Sequence, residues 1–234
     1  MEFDGKVALV TGSSGMGLAS ARALAAAGAE VHLAGIDPQA NATAGAACAG
    51  LPVTVHRADV ADEAQVEALV AAIMATAPGI DILVNAHGIQ TYGTLETTSI
   101  ADFDRVMNIN LRGCFLTAHF VYPHMKPRGG GAIVHIASVQ GHSNQYGVLG
   151  YATSKGAQHA LTRAMAVDAA RDNIRVNSIS PGSIRTPLLE YGAAQLAGPE
   201  GRMEDMIETF GKAHPLGRIG TAGEVGELVL FLCS

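Results

Sequence analysis

Val7-Ala8-Leu9-Val10-Thr11-Gly12-Ser13-Ser14-Gly15-Met16-Gly17 opens the first recognisable unit of the chain. An apolar, β-branched run passes into a turn with glycines at 12, 15 and 17, and a helix-like stretch follows over 15–27. Unbroken apolar character over so short a run fits a strand buried on both faces, as in a parallel sheet. Glycines remove Cβ atoms where a chain turns sharply, and they let a ligand approach the backbone. The helix behind the turn offers unpaired N–H groups and the positive end of its dipole, which suit a pyrophosphate. Glycine makes up 28 of 234 residues, so the triplet alone says little; its place between strand and helix is what points to a dinucleotide.

The same strand-then-helix unit recurs along the chain. Strands are expected at 7–11, 31–34, 53–57, 80–85, 132–138 and 174–180, and amphipathic helices at 15–27, 38–49, 62–77, 99–125 and 151–171. The second helix is the weakest, because Asn41 and Gly45 lower its propensity. Alternation of this kind implies right-handed crossovers and a doubly wound α/β domain with helices on both faces of the sheet. Pro127-Arg128-Gly129-Gly130-Gly131 reads as a surface turn, so residues 1–234 are expected to form one domain. The segment 187–215, interrupted by Gly192, Gly198, Pro199 and Gly201, reads either as a lid over a pocket or as a helical excursion packed on the sheet.

Composition excludes several classes. Hydrophobic residues are 48% and charged residues 15%, which is incompatible with a disordered chain. Fifteen Lys and Arg against twenty-one Asp and Glu leave a net charge of −6, without the basic footprint that nucleic acid requires. Cys48, Cys114 and Cys233 form neither a CxxC pair nor an even framework, and the histidines show no tight ligand spacing. No disulfide scaffold and no catalytic metal are expected. No apolar run reaches the ~18–20 residues needed to span a bilayer, and Met1 to Lys6 is no signal segment. A cytoplasmic setting is expected.

The glycine loop resembles that of the short-chain dehydrogenase/reductase family, and further matches follow in order. Asp59-Val60 stands where that family contacts adenine, Asn85-Ala86-His87-Gly88 resembles its NAG segment, and Asn110 lies in an N-x-N stretch. Ser138, Tyr151-Ala152-Thr153-Ser154-Lys155 and Pro181-Gly182 with Thr186 complete the series, which spans residues 5–234. Two departures stand out: His87 replaces a small residue, where packing is the expected role, and the family's final strand would come after Leu232-Cys233-Ser234.

The resemblance implies a Rossmann-type domain that moves a hydride between a nicotinamide cofactor and a secondary alcohol or ketone. Tyr151 and Lys155, four apart, share one helix face. An ordinary Tyr, with pKa ~10, is a poor base at neutral pH, and a neighbouring ammonium together with the positive charge of an oxidised nicotinamide would lower it. Tyr151 is thus the expected general acid/base, with Ser138 positioning the substrate oxygen. Asn110 is implied to kink its helix and to bind a water that links Lys155 to solvent. The cofactor would lie against Gly12, Ser14, Gly15, Met16, Gly17, Asp59, Val60, Asn85, Ala86, Gly88, Tyr151, Lys155, Pro181, Gly182, Ile184 and Thr186, with Lys155 on the ribose.

Cofactor choice turns on the end of the second strand. The family's NAD enzymes carry an acid at the position of Gly35; here Asp37 follows two residues later, as ribose ligand, helix N-cap, or both. Neither Ser14 nor Ile36 is basic, so NAD is expected in preference to NADP. Gln90, Tyr92, Gln140, His142, Gln145 and Tyr146 are candidate substrate contacts, and Arg185 and Arg202 would suit an anionic group. By analogy, the small-residue helices 99–125 and 151–171 would pair subunits into a homotetramer or homodimer. Two other readings are an NADPH-dependent 3-oxoacyl thioester reductase, disfavoured by the acidic charge, and a non-catalytic nucleotide-binding regulator, disfavoured by the intact Ser138, Tyr151 and Lys155.

Overall fold

In the computed structural model, which describes residues 1–234, six strands form one parallel sheet. They are β1 (Val7–Thr11), β2 (Glu30–Gly35), β3 (Val53–Arg57), β4 (Ile82–Asn85), β5 (Gly131–Ile136) and β6 (Ile174–Ile179), in the order β3-β2-β1-β4-β5-β6. Burial decides who sits where. Each buried Val or Leu contributes roughly 1.5–3 kcal/mol, so β1, buried at every residue, takes the centre. β3 keeps Thr54 and Arg57 exposed and forms an edge. The chain runs outward from β1 to β3, then returns to β4 beside β1, and this reversal opens a crevice at the carboxyl ends of the two strands.

Side chains alternate across the sheet and divide the core in two. Ala8 and Val10 face α1 (Gly15–Ala26) and α9 (Ala222–Cys233), where Leu24, Val225 and Val229 are buried. Val7 and Leu9 face the other layer, where Ile73 of α3 (Glu63–Met74), Val121 and Met125 of α5 (Gly113–Met125) and Ala169 of α6 (Leu149–Ala169) close the core. The helix expected to be weakest, α2 (Pro38–Ala47), forms behind an Asp37 cap with Pro38 at its start.

Three element boundaries depart from expectation. The helix expected over 99–125 is α4 (Ile100–Met107), a π-helical turn over Asn108–Arg112 that contains Asn110, and α5. β5 stops at Ile136 because Ser138 leaves the ladder to cap a short 3-10 turn, Val139–Gly141. β4 begins at Ile82, since the buried Asp81 carboxylate accepts from Val7 N (2.9 Å) and is bound by Lys6 and Arg128.

Segment 187–215 folds into α7 (Pro187–Ala197) and α8 (Met203–Ala213), two helices packed on each other. They lie between the short paired strands β7 (Ile184–Arg185) and β8 (Gly220–Thr221). No helix is long and apolar enough to cross a membrane.

Candidate active site

Two hollows lie at the carboxyl edge of the sheet. The first is a groove of about 270 Å³, lined by Gly12, Ser14, Asp37, Asp59, Val60, Ala86 and Gly88. Its floor depends on bare backbone: a Cβ on Gly17 would sit 1.9 Å from Gly12 O, and one on Gly12, at φ +94°, would sit 2.9 Å from Ala86 O. Helix α1 has no side-chain cap and no acidic residue in its first turn, which leaves its N-terminal amides to an anionic ligand. Gly15 brings the loop against the Thr186 methyl, where a Cβ would come within 2.9 Å. An uncapped helix start above a cradle without side chains fits the pyrophosphate of a dinucleotide.

At the far end of the groove, Gly35 has no room for a carboxylate. A Cβ there would lie 2.1 Å from Ser13 Oγ and 2.5 Å from Asn41 Oδ1. The acid is instead Asp37, which lines the groove and also caps α2, Oδ1 accepting from Gln39 N (2.8 Å) and Ala40 N (3.4 Å). Asp59 likewise lines the groove while Oδ1 accepts from Ala61 N at 2.9 Å.

Asn85 corrects an expectation. It is fully buried beneath the groove, with Oδ1 accepting from Thr117 Oγ1 (2.8 Å) and Thr11 Oγ1 (3.2 Å), while Nδ2 lies 3.2 Å from His135 Nδ1. Its side chain is a strut under the floor, since buried polar groups there need partners. His87 belongs to the same layer, with Nδ1 2.6 Å from Thr11 Oγ1, and burial, reinforced by Lys155, pushes its pKa down to about 3.

The second hollow, about 290 Å³, brings Ser138 and Tyr151 together with Met16, Gly182, Ile184 and Thr186. Ser138 Oγ accepts from Gln140 N (3.1 Å), which leaves its proton for a ligand. Lys155 lies beneath, fully buried, its Nζ donating to Ile136 O (2.9 Å) and standing 5.6 Å from the centre of the Tyr151 ring. Burial pushes the ammonium down to about 8, against a smaller opposing pull from Cys114.

The expected lowering of the Tyr151 pKa by Lys155 is not what these side chains produce. Burial raises the phenol, the Ser138 hydroxyl pulls it back, and Tyr92 adds to the rise. With Lys155 bonded to Ile136 O, the protein's own groups keep Tyr151 protonated, as a donor.

The Asn110 side chain clamps Ile89, accepting from Ile89 N and donating to Ile89 O (both 2.9 Å), and donates to Ser154 Oγ at 3.0 Å. Both amide protons are thereby committed, which leaves one lone pair of Oδ1 as the side chain's remaining hydrogen-bonding capacity.

Gln90, Tyr92, Gln140 and Gln145 line the cavity. His142 and Tyr146 do not: His142 stacks on His159 with ring centres 4.1 Å apart, and Tyr146 is 90% exposed. Pro181 is buried outside the lining and offers its carbonyl to Val139 N (3.1 Å). Arg185 is engaged by Glu190 and Glu204, and Arg202 does not line the cavity.

The far wall consists of Leu188, Leu189, Leu196 and Phe210 from α7 and α8, with His214, whose Nε2 accepts from Ser183 N at 3.2 Å. Leu188, Leu189 and Phe210 belong to the segment read from the sequence as a lid or a packed helical excursion, whereas Leu196 and His214 were not singled out. Apolar residues on a helix signal burial without saying against what, and His214 carries no local motif.

Comparison with known proteins accounts for this arrangement. A family model described as "Enoyl-(Acyl carrier protein) reductase" matches residues 10–234. The chain is 42% identical to 2-(R)-hydroxypropyl-CoM dehydrogenase of Xanthobacter autotrophicus, covering 97% of this chain and 90% of the relative. Levodione reductase of Leifsonia aquatica is 39% identical, and its crystal structure superposes with a TM-score of 0.94 over 99% of this chain and 92% of that one. L-sorbose reductase of Gluconobacter frateurii, solved with NADPH and L-sorbose, is 30% identical, with a TM-score of 0.93 over 100% of this chain and 92% of that one. The chain belongs to the short-chain dehydrogenase/reductase family, oxidoreductases that move a hydride between a nicotinamide cofactor and an alcohol or ketone.

Proposed function

We propose that this chain is an NAD-dependent alcohol dehydrogenase or ketone reductase with Tyr151 as its general acid/base. The observation that carries the reading is the meeting of Tyr151 and Ser138 in one cavity, above a buried Lys155 and beside the glycine loop. A reduced nicotinamide held against the glycine loop would supply the hydride to the carbonyl carbon; in that direction the Tyr151 hydroxyl gives its proton to the substrate oxygen, so the products would be an alcohol, the oxidised cofactor and a phenolate awaiting a proton. Ser138, its lone pair held by Gln140 N, donates to the same oxygen and fixes its place. Lys155 holds positive charge beneath the phenolate that the step creates, where burial makes that charge count most.

The preference for NAD is supported by Asp37 and Asp59 on the groove and by the lack of any Lys or Arg in its lining. Arg57, paired with Gly35 across β2 and β3, gives its Nε to Ile36 O at 3.4 Å. A 2′-phosphate would meet the carboxylates of Asp37 and Asp59 in the groove, with Arg57, bonded to Ile36 O, outside the lining. A homodimer or homotetramer is supported by an apolar hollow on the surface between the π-helical turn, α5 and α6, bordered by Leu111, Phe115, Ala160 and Leu161; light scattering would give the mass.

The deciding experiment is Tyr151→Phe, followed by absorbance of the reduced cofactor across a panel of alcohols and ketones. Turnover is expected to fall roughly 10²–10⁴-fold while the cofactor Kd stays within about twofold. Undiminished turnover would refute the assignment.

A further inference from the structure

Gln140 is held at both ends. Its backbone N–H donates to Ser138 Oγ (3.1 Å), and its side-chain Oε1 accepts from the backbone N–H of Gln145 (2.8 Å). A backbone N–H must face a carbonyl oxygen, so the second bond settles which end of the carboxamide is which. Nε2 is the end left without a protein acceptor, in a residue that lines the same cavity as Ser138 and Tyr151. The turn thus offers two donors in fixed relation. Ser138 addresses the reacting oxygen, and Gln140, whose Cα lies within about 7 Å of that of Ser138, addresses a point farther along the ligand.

No Lys, Arg, Asp or Glu lines the cavity, and His214 Nε2 accepts from Ser183 N at 3.2 Å. The Arg185 guanidinium is taken by Glu190 and Glu204. An anion entering this space would be desolvated with no charged side chain in the lining to pair with, the Lys155 ammonium being held beneath Tyr151 by Ile136 O. Leu189, Leu196 and Phe210 oppose the amide wall.

Resting on the assignment of Tyr151 and Ser138 given above, we propose that Gln140 is a specificity-determining residue for a neutral substrate. That substrate carries a second, hydrogen-bond-accepting oxygen roughly two to four carbons from the reacting carbon, with its hydrocarbon edge against α7 and α8.

The test compares kcat/KM for cyclohexanone, cyclohexane-1,4-dione and 4-oxocyclohexanecarboxylate, with each reduced cofactor, in the wild type, Gln140→Leu and Gln140→Glu. Glu keeps an oxygen for the Gln145 N–H but has no N–H to donate, so it removes the donor without freeing the turn. The wild type is expected to favour the dione over cyclohexanone about tenfold beyond the statistical factor of about two for its paired carbonyls. Both variants are expected to lose that preference, chiefly through a higher KM for the dione. The carboxylate should lie at least about tenfold below the dione. A wild-type ratio near the statistical one, a preference that survives both substitutions, or a preference for the carboxylate would overturn the proposal while leaving the oxidoreductase assignment intact. No turnover of any ketone with either cofactor would overturn the Tyr151 reading and this inference together.

Discussion

The groove beneath Gly12 and the cavity around Tyr151 share one sheet edge but are built by opposite means. The groove is made of backbone: an uncapped helix start, a glycine cradle, and two carboxylates that each double as a cap or turn acceptor. The cavity is made of side chains drawn from loops and helices far apart in sequence, between Met16 and His214. Backbone recognition needs particular residues at fixed local spacing and tolerates little change. A wall of packed side chains can be exchanged piece by piece, so the cofactor end suits a shared ligand and the substrate end suits divergence.

Substitutions at the two ends should therefore fail differently. Lys155→Met should have the largest effect, lowering turnover roughly 10²-fold or more. The same change should stabilise the fold. The folded pKa of about 8 lies below the ordinary 10.5, so the unfolded chain binds more protons between those values. The cost of burying the ammonium, about 3 kcal/mol, is fully present below pH 8 and fades as pH climbs to 10.5. Calorimetry at pH 7 should show a higher Tm for Lys155→Met, with the gain shrinking by pH 10; a lower Tm at pH 7 would mean that the bond to Ile136 O outweighs desolvation.

Next in size is Gly17→Ala, which forces a methyl against Gly12 O. It should cost roughly 1–3 kcal/mol of stability and weaken cofactor binding at least about tenfold by titration calorimetry. Unchanged affinity would break the contrast, since the groove would then not depend on bare backbone. Asp37→Asn keeps the cap acceptor and removes the charge. The NADP to NAD ratio of kcat/KM should rise about tenfold, in line with roughly 1–4 kcal/mol for a close charge pair, and no rise would assign cofactor choice elsewhere. Smallest is Thr186→Ala, which removes the hydroxyl that caps α7 by accepting from Leu189 N (3.2 Å). A loss of about 1 kcal/mol should quicken amide exchange in α7 about fivefold and leave α1 unaffected.

The legibility of the two regions follows the same division. Strands β1 to β6 were readable because burial on both faces imposes apolar runs, and the glycine loop because its spacing is local. Tyr151 and Lys155 were legible as a pair four apart on one helix. Asn85 was misread as a cofactor neighbour because a strand-end position does not reveal that Thr11, Thr117 and His135 converge on it from three other elements. His142 and Tyr146 were misread because a loop's sequence does not tell which side chains turn inward.

What the sequence alone determined was the order of strands and helices, the family, and the residues whose chemistry is local: the glycine loop, the Tyr151 and Lys155 pair, and the Asp37 cap. Only the tertiary structure decided that Gly35 has no space for an acid, that burial drives Lys155 down and Tyr151 up, and that Gln140 is pinned between Ser138 and Gln145. Local spacing sets backbone geometry within a few residues. Burial, electrostatics and the facing of a side chain are sums over neighbours distant in the chain, and they exist only once the sheet and its two helical layers have closed.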